Sequence, residues 1–414
     1  MSELEKSNYF DLIIIGGGLA GASLACALNN RALKIAIIEA HELANDLQHS
    51  YDDRTVALSY GSRCIFDSMG LWSSLELFAE AIDTIHISDR GHFGVTRLTK
   101  EQERVAALGY VIENKRLGEQ LYKIIDSASN ISLFCPAELT ALRQDDEQVS
   151  IDILLGDIHQ TLQGKLLVAA DGNNSQVMQL LNIGSSRKNY EQVALIANVT
   201  PGKKHNNVAY ERFTDSGPLA FLPMTDNRCS VVWTLSHEQA DYLYALDEAD
   251  FLEQLQQRFG YRLGQLKKVG ARHLYPLFLQ SATQMFYGRV AIIGNAAHSV
   301  HPVAGQGFNL ALRDIALLSE LLVDAGKAKT DIGGQILLQQ YASQREQDIR
   351  QVYRFTDTLV RTFSNAITPL AHLRSLSLFL VDILPDIKHQ LANQSMGLSG
   401  RLVRLSRLSR GMRL

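Results

Sequence analysis

The chain has no cysteine pair. Its four cysteines, Cys26, Cys64, Cys135 and Cys229, are scattered, with no C-x-x-C spacing. That argues against a structural zinc site and fits a reducing compartment. It has no excess of basic residues: a net charge of −4 offers no general attraction to nucleic acid. The first ten residues, MSELEKSNYF, are polar and acidic, which excludes a secretory leader as the expectation. The longest early apolar run, 12–28, is broken by Gly16, Gly17, Gly18 and Gly21 and suits strand–turn–helix better than a membrane span. Internal repeats and low-complexity blocks are also missing. What remains is 414 residues that are 46% hydrophobic and 20% charged, enough for two intimately joined domains of an ordered globular protein.

What is present begins with the apolar run 11–15, expected as a buried strand, followed by Gly16-Gly17-Gly18-Leu19-Ala20-Gly21 and a helix. Gly16, Gly18 and Gly21 form Gly-x-Gly-x-x-Gly: one glycine for the tight turn, one for approach to a pyrophosphate, one for helix–strand packing. Phosphates would sit on the helix N-terminus. A second run, 34–38, ends in Glu39, placed to accept the ribose hydroxyls of an adenosine. The unit marks a dinucleotide site without saying which dinucleotide. No second such loop follows another apolar run. Either the chain is a simple nicotinamide enzyme, or it holds FAD and meets its reductant transiently.

Further along, Arg54 offers a cation to a phosphate or flavin hydroxyl. Asp171-Gly172 follows a strand, where α/β sheets bind ligands at their carboxyl edge. Short β-rich runs between about 190 and 274 predict a mostly antiparallel sheet, a natural substrate domain over a cofactor. Residues 288–313 then read as a short buried strand, a turn at Gly294, a loop with Pro302, Gly305 and Gly307, and a helix from near Phe308. Gln335–Phe363 reads as a long helix, 370–384 is strongly apolar, and 400–414 interleaves five arginines with leucine. Such a tail can meet an anionic membrane surface or a partner protein.

In this order the motifs resemble the class A flavoprotein aromatic hydroxylases, the p-hydroxybenzoate hydroxylase-like family. The third fingerprint is Gly294-Asn295-Ala296-Ala297-His298, Pro302, then Gly305-Gln306-Gly307-Phe308-Asn309. The stretches 85–92, 211–213 and 217–220, with Asn295 where the family usually has Asp, look like the bacterial ubiquinone-biosynthesis hydroxylases, and within them the 2-polyprenyl-6-methoxyphenol hydroxylase subgroup. The family's Arg three residues after the Ser of the Asp-Gly motif is absent here; Met178 stands there.

The resemblance implies an α/β fold: a Rossmann-like FAD-binding domain (1–75, 105–185 and 275–360), an inserted, mostly antiparallel β-sheet substrate domain (76–104 and 186–274) and a helical C-terminal region with an Arg-rich tail (361–414). It implies FAD as cofactor, NAD(P)H as co-substrate, and O2 and a polyprenyl-phenol as substrates, through a flavin hydroperoxide. It places pyrophosphate on Gly16, Gly18 and Gly21, ribose on Glu39 and the ribityl chain on Asn295. Arg54 and Asn114 fall near the flavin, with Asp171, Gly172, Gly294 and the stretch from Pro302 through Gly305 and Gly307 to Asn309 around it. His298 and His301 are candidates for proton transfer. Other ubiquinone-biosynthesis proteins are implied as partners. The location implied is cytoplasmic, with peripheral contact at the inner face of the cytoplasmic membrane through the tail. Alternatives are a hydroxylase acting at another ring carbon, a flavin reductase or dehydrogenase, a nicotinamide-only dehydrogenase, and a flavin-binding assembly subunit without turnover.

Overall fold

A computed structural model describes residues 8–42, 54–91, 94–300, 305–363, 384–399 and 406–414. Two eight-stranded sheets dominate it. The first is built around Tyr9–Ile15, whose last four residues, Leu12, Ile13, Ile14 and Ile15, are all buried, as a strand covered on both faces requires. Tyr9–Ile15 pairs in parallel with Ile35–Ile38 on one side and Ile158–Ala169 on the other. Val290–Ile292 adds in parallel beyond Ile158–Ala169, and Ile131–Phe134 beyond Ile35–Ile38. The carboxyl ends of these strands therefore line up at Ile15, Ile38, Ala169 and Ile292. The helices Leu19–Ala27, Asn114–Ser127 and Gln306–Ala328 contribute buried residues to the core around this sheet.

The second sheet orders its strands His298–Ser299, Lys268–Ala282, Ser185–Thr200, Arg228–Ser236, Gly217–Met224, Val208–Thr214, Thr84–Asp89 and Val95–Thr99. All its pairs are antiparallel except Val208–Thr214 with Thr84–Asp89. One face is sealed by helices His237–Ala245 and Glu248–Phe259, which bury Phe251, Leu255 and Phe259 against Leu195, Val231 and Phe221. The helices start on side-chain caps, Ser236 in a capping box and Asp247 on the Asp250 N–H.

Three expectations change in detail. The apolar–polar alternation over 82–88 predicts one half-buried strand; the structure has two, Ala79–Ile82 and Thr84–Asp89, divided at Asp83. The Asp83 carboxylate pairs with Lys100 at 2.8 Å. The first half joins a third, small sheet with Thr55–Ser59 and Gly109–Glu113. The helix expected from Phe308 opens earlier, at Gln306, because Gly305 at φ +60° takes the left-handed conformation that ends the loop. The basic tail is docked where it is described. Ser406 and Leu408 are buried, Ser406 Oγ and the Leu408 N–H donate to Glu320 Oε1 at 2.7 and 2.8 Å, and Arg407 pairs with Asp324 at 2.9 Å. A carboxylate pair on one helix outcompetes solvent for these residues; Arg410 and Arg413 stay exposed. Most of the apolar stretch 370–384 lies outside the described residues. Among the described residues no helix is long and apolar enough to cross a membrane.

Candidate active site

The aligned strand ends open into a cavity of about 740 Å3, within the size range of small-molecule sites. Its wall is contributed by each motif in turn: Gly16, Gly18 and Glu39, then Arg54 and Asn114, then Asp171 and Gly172, then Asn295, Gly305 and Gly307. Residues not anticipated from the sequence complete it, among them Thr55, Gln176, Ser299 and Val300.

The Gly-rich turn is shaped by contacts that a side chain would destroy. Gly16 sits at φ +102°, and a Cβ there would meet the Ala170 carbonyl oxygen at 2.5 Å. A Cβ on Gly21 would lie 1.9 Å from the Gly16 carbonyl oxygen. Gly18 differs: no protein atom lies within 4 Å of its would-be Cβ, so the space it keeps clear belongs to the cavity. Gly18 also caps the helix Leu19–Ala27 without a side-chain bond, leaving first-turn N–H groups for a ligand. Glu39 Oε2 accepts from the Gly17 N–H at 2.6 Å and Oε1 from the His41 N–H at 2.9 Å, while Tyr122 Oη donates to the Gly17 carbonyl at 2.7 Å. The loop is thus held from the second strand and from a helix.

Asp171 accepts from the Val177 N–H at 3.1 Å, and Ser175 caps the same short helix through the Met178 N–H. A helix N-terminus stands where the family's Arg is missing. Burial raises the Asp171 carboxyl above its ordinary value, against hydrogen bonds from Ser175 and the backbone that lower it. Among the described residues its Oδ1 is buried with no partner, as is Oδ1 of Asn114. Arg54 lies 5.1 Å over the Tyr275 ring of the second sheet, and its carbonyl accepts from the Asn114 N–H at 2.9 Å.

Beneath Asn295 lies a buried charge network invisible in the motifs. Asp314 Oδ2 accepts from the Gly294 N–H at 2.8 Å and bonds His298 Nε2 at 2.6 Å. Arg345 Nε donates to Asp314 Oδ1 at 2.6 Å, and Arg345 and Arg313 both reach Asp348. Burial alone would raise the Asp314 carboxyl, but the charges of His298 and Arg345 hold it below its usual range. His298 is 1% exposed and does not line the cavity, so its ring supports the turn rather than facing a ligand. His301 and Pro302 lie outside the described residues.

Gly21, Gly294 and Asn309 do not line the cavity either. The side chain of Asn309 is fully committed: Oδ1 accepts from the Ser59 N–H and Ser62 Oγ, and Nδ2 donates to the carbonyls of Ala57 and Gly305. It fixes the loop that carries Gly305 and Gly307.

The cavity joins a phosphate-approach turn with no Cβ in the way, a carboxylate beside it, two orphaned acceptors and the start of a second helix. These residues fit a long, flat dinucleotide with many donors. The sequence pattern of the family described as FAD binding domain matches residues 9–356.

The chain belongs to this FAD-binding family.

FAD is its cofactor, and it is a flavoprotein monooxygenase. The chain is 36% identical to ubiquinone hydroxylase UbiL of Rhodospirillum rubrum over 94% of this chain and 89% of that one. It is 31% identical to ubiquinone biosynthesis monooxygenase COQ6, mitochondrial, of Homo sapiens, over 92% and 91% of the two. The fold is shared with p-nitrophenol 4-monooxygenase PnpA of Pseudomonas putida DLL-E4, at a TM-score of 0.80 and 16% identity, covering 95% of this chain and 99% of that one.

Proposed function

We propose that this FAD-binding monooxygenase hydroxylates the ring of a polyprenyl-phenol, 2-polyprenyl-6-methoxyphenol, in ubiquinone biosynthesis, using NAD(P)H and O2. One observation carries the reading. Two consecutive residues of the cofactor cavity, Arg54 and Thr55, also touch the second sheet, at Tyr275 and at Ser230. A ring lying on that sheet reaches the cofactor cavity without leaving the protein. The pathway is supported by the named functions of the full-length relatives.

When bound, FAD supplies the electron transfer and O2 activation that no side chain provides. The chain's own residues do the rest. Gly16 and Gly18, with the helix from Leu19, hold the pyrophosphate; Gly21 packs that helix onto the turn. Glu39 takes the adenosine ribose. Asn295, Asp171 and Asn114 offer acceptors along the ribityl chain and ring. The first turn of Gln306–Ala328 presents its partial positive charge beside Gly305 and Gly307, which favours a negatively charged ligand edge by ~0.3–1 kcal/mol, more when buried. Arg54 stands between the two domains as a cation at their junction.

This reading includes peripheral contact with the inner face of the cytoplasmic membrane, where a polyprenyl chain resides, and contact with other proteins of the pathway. The docked residues 406–414 leave the apolar stretch 370–384 as the better source of lipid contact. Sedimentation with anionic vesicles tests it.

The deciding experiment incubates purified enzyme with NADPH, O2 and a short-tailed 2-prenyl-6-methoxyphenol and identifies the product. One added ring oxygen per NADPH is expected. NADPH oxidation that yields only H2O2, with the phenol unchanged, overturns the reading. Hydroxylation at another ring carbon selects the alternative, a hydroxylase of the same pathway acting there.

A further inference from the structure

The second sheet carries a cross-strand row that the cofactor site does not use. Its register runs His273, Ile196, Val232, Ala220, Glu211 and Ile87. Side chains two positions apart on a strand share a face. Tyr275, under Arg54, is therefore on this face to one side of the row, and Ser230, bonded to Thr55 at 2.8 Å, is on it to the other side. The row starts between these two contacts with the cofactor cavity. Ile196 and Val232 keep accessible surface in the middle of the sheet, although Leu195 and Val231 beside them on the opposite face have none. The strip is thus an apolar floor with open space above it.

Glu211 ends that floor, two inter-strand spacings from Val232, or roughly 10 Å. It makes no hydrogen bond or ion pair among the described residues. The nearby cations Arg97, Arg212 and Arg262 act on His86 and Tyr210, which pair with each other on the opposite face. On its own face the neighbouring titratable groups are Asp89, one row away on the adjacent strand, and His273, at the far end of the row. Glu211 retains some accessible surface, so small molecules reach it. Even so, burial with no opposing charge pushes its carboxyl up to about 7. A carboxylate at that depth without a cation is costly, and no structural partner accounts for it.

We propose that Glu211 receives the phenol O–H of the substrate and takes its proton during hydroxylation, with the ring seated over Val232 and Ala220. This rests on the hydroxylase reading above. An electrophilic oxygen attacks a phenol ring more readily once the O–H electron pair is released into it. The O–H bond breaks, its electrons stay on oxygen, and the proton moves to the carboxylate. One ring C–H becomes C–OH with one atom of O2. The other oxygen leaves as water, its two electrons supplied by NAD(P)H. The ring proton is lost to water, and Glu211 returns its proton to the phenolate. A carboxyl with a pKa near the working pH suits both transfers.

The test compares wild type, Glu211→Gln and Glu211→Asp as holoenzymes, on a short-tailed 2-prenyl-6-methoxyphenol and on a fluorinated analogue already ionised at the assay pH. Glu211 does not line the FAD cavity, so flavin content should match wild type in both variants. Glu211→Gln should lose ~10²–10⁴-fold in hydroxylation of the ordinary phenol, with KM little changed, and NAD(P)H oxidation should divert to H2O2. The ionised analogue should recover most of that loss, and Glu211→Asp should recover part of it. Wild-type hydroxylation by Glu211→Gln, or an equal loss on both phenols, overturns the assignment alone. Failure of the wild type to hydroxylate any phenol overturns the hydroxylase reading and this assignment together.

Discussion

Arg345 Nε donates to Asp314 Oδ1 at 2.6 Å in a place where neither side chain has any exposed surface. The same carboxylate holds the Gly294 N–H and the His298 ring, so one ion pair sets the turn that presents Asn295 to the cavity. Arg345→Met strands that carboxylate and should cost about 3–5 kcal/mol in urea unfolding. The Asp314 and Asp348 carboxyls are both held below their ordinary range, so their contribution is present above the unfolded carboxylate pKa of about 3.9 and is lost as pH falls through the lower folded values. The wild-type advantage over Arg345→Met should therefore shrink in acid. Equal stabilities at neutral pH would show that the network is relaxed on loss of one cation.

Gly18→Ala and Gly21→Ala separate two uses of glycine. The first adds a methyl group that meets no protein atom and projects into the cavity; the second drives one into the Gly16 carbonyl. Flavin-free Gly18→Ala should melt like the flavin-free parent yet retain less FAD on purification. Gly21→Ala should melt lower even without flavin. A Gly18→Ala protein with full flavin content would remove that glycine from the phosphate site.

Asn295 lines the cavity and is exposed to it. Asn295→Asp replaces one amide donor with an acceptor and adds a charge. The protein should still purify yellow, with flavin absorbance per chain as in the parent. Colourless protein of normal fold would mean that the neutral amide is required.

Glu211 gives stability an unusual pH slope. Its folded carboxyl titrates at about 7 and its unfolded one near 4.3, so the native state binds more protons between those values. Stability is therefore highest below the unfolded value and declines as pH rises through about 7. Glu211→Gln removes this slope and should gain on wild type by on the order of 2 kcal/mol between pH 5 and pH 8, in paired urea titrations. Asp89 and His273 are the same in both proteins and drop out of the difference. Parallel curves would place Glu211 in a better-solvated site than the fold indicates.

Much of the fold is legible where the demand is local. The Gly16–Gly21 turn is readable because the glycine spacing is itself local, although the atom that crowds Gly16 is the distant Ala170 carbonyl. The helix that opens at Gln335 was readable because a 3.6-residue period is a local property. Asp314 was not, since it sits in mid-helix and its meaning comes from Gly294, His298 and Arg345, none of them adjacent in sequence. Glu211 lies in the family-like stretch 211–213, and nothing in a strand pattern says what its face of the sheet will meet. The break at Asp83 was hidden because apolar alternation continues across it while the partner sheet changes. The docking of Ser406, Arg407 and Leu408 was hidden for the same reason: composition registers five arginines and cannot register Glu320 and Asp324 on another helix.

The strand order of the first sheet has a consequence for biosynthesis. Tyr9–Ile15 is flanked by a strand from 35–38 and one from 158–169, and the latter is flanked in turn by Val290–Ile292. The loop bearing Gly305 is then clasped by Asn309 to Ser59 and Ser62, made some 250 residues earlier. A ribosome therefore releases the dinucleotide fingerprint first and the residues that complete its pocket far later. A nascent chain stalled before residue 290 carries Gly16, Gly18, Gly21 and Glu39 and still has no place to keep a flavin.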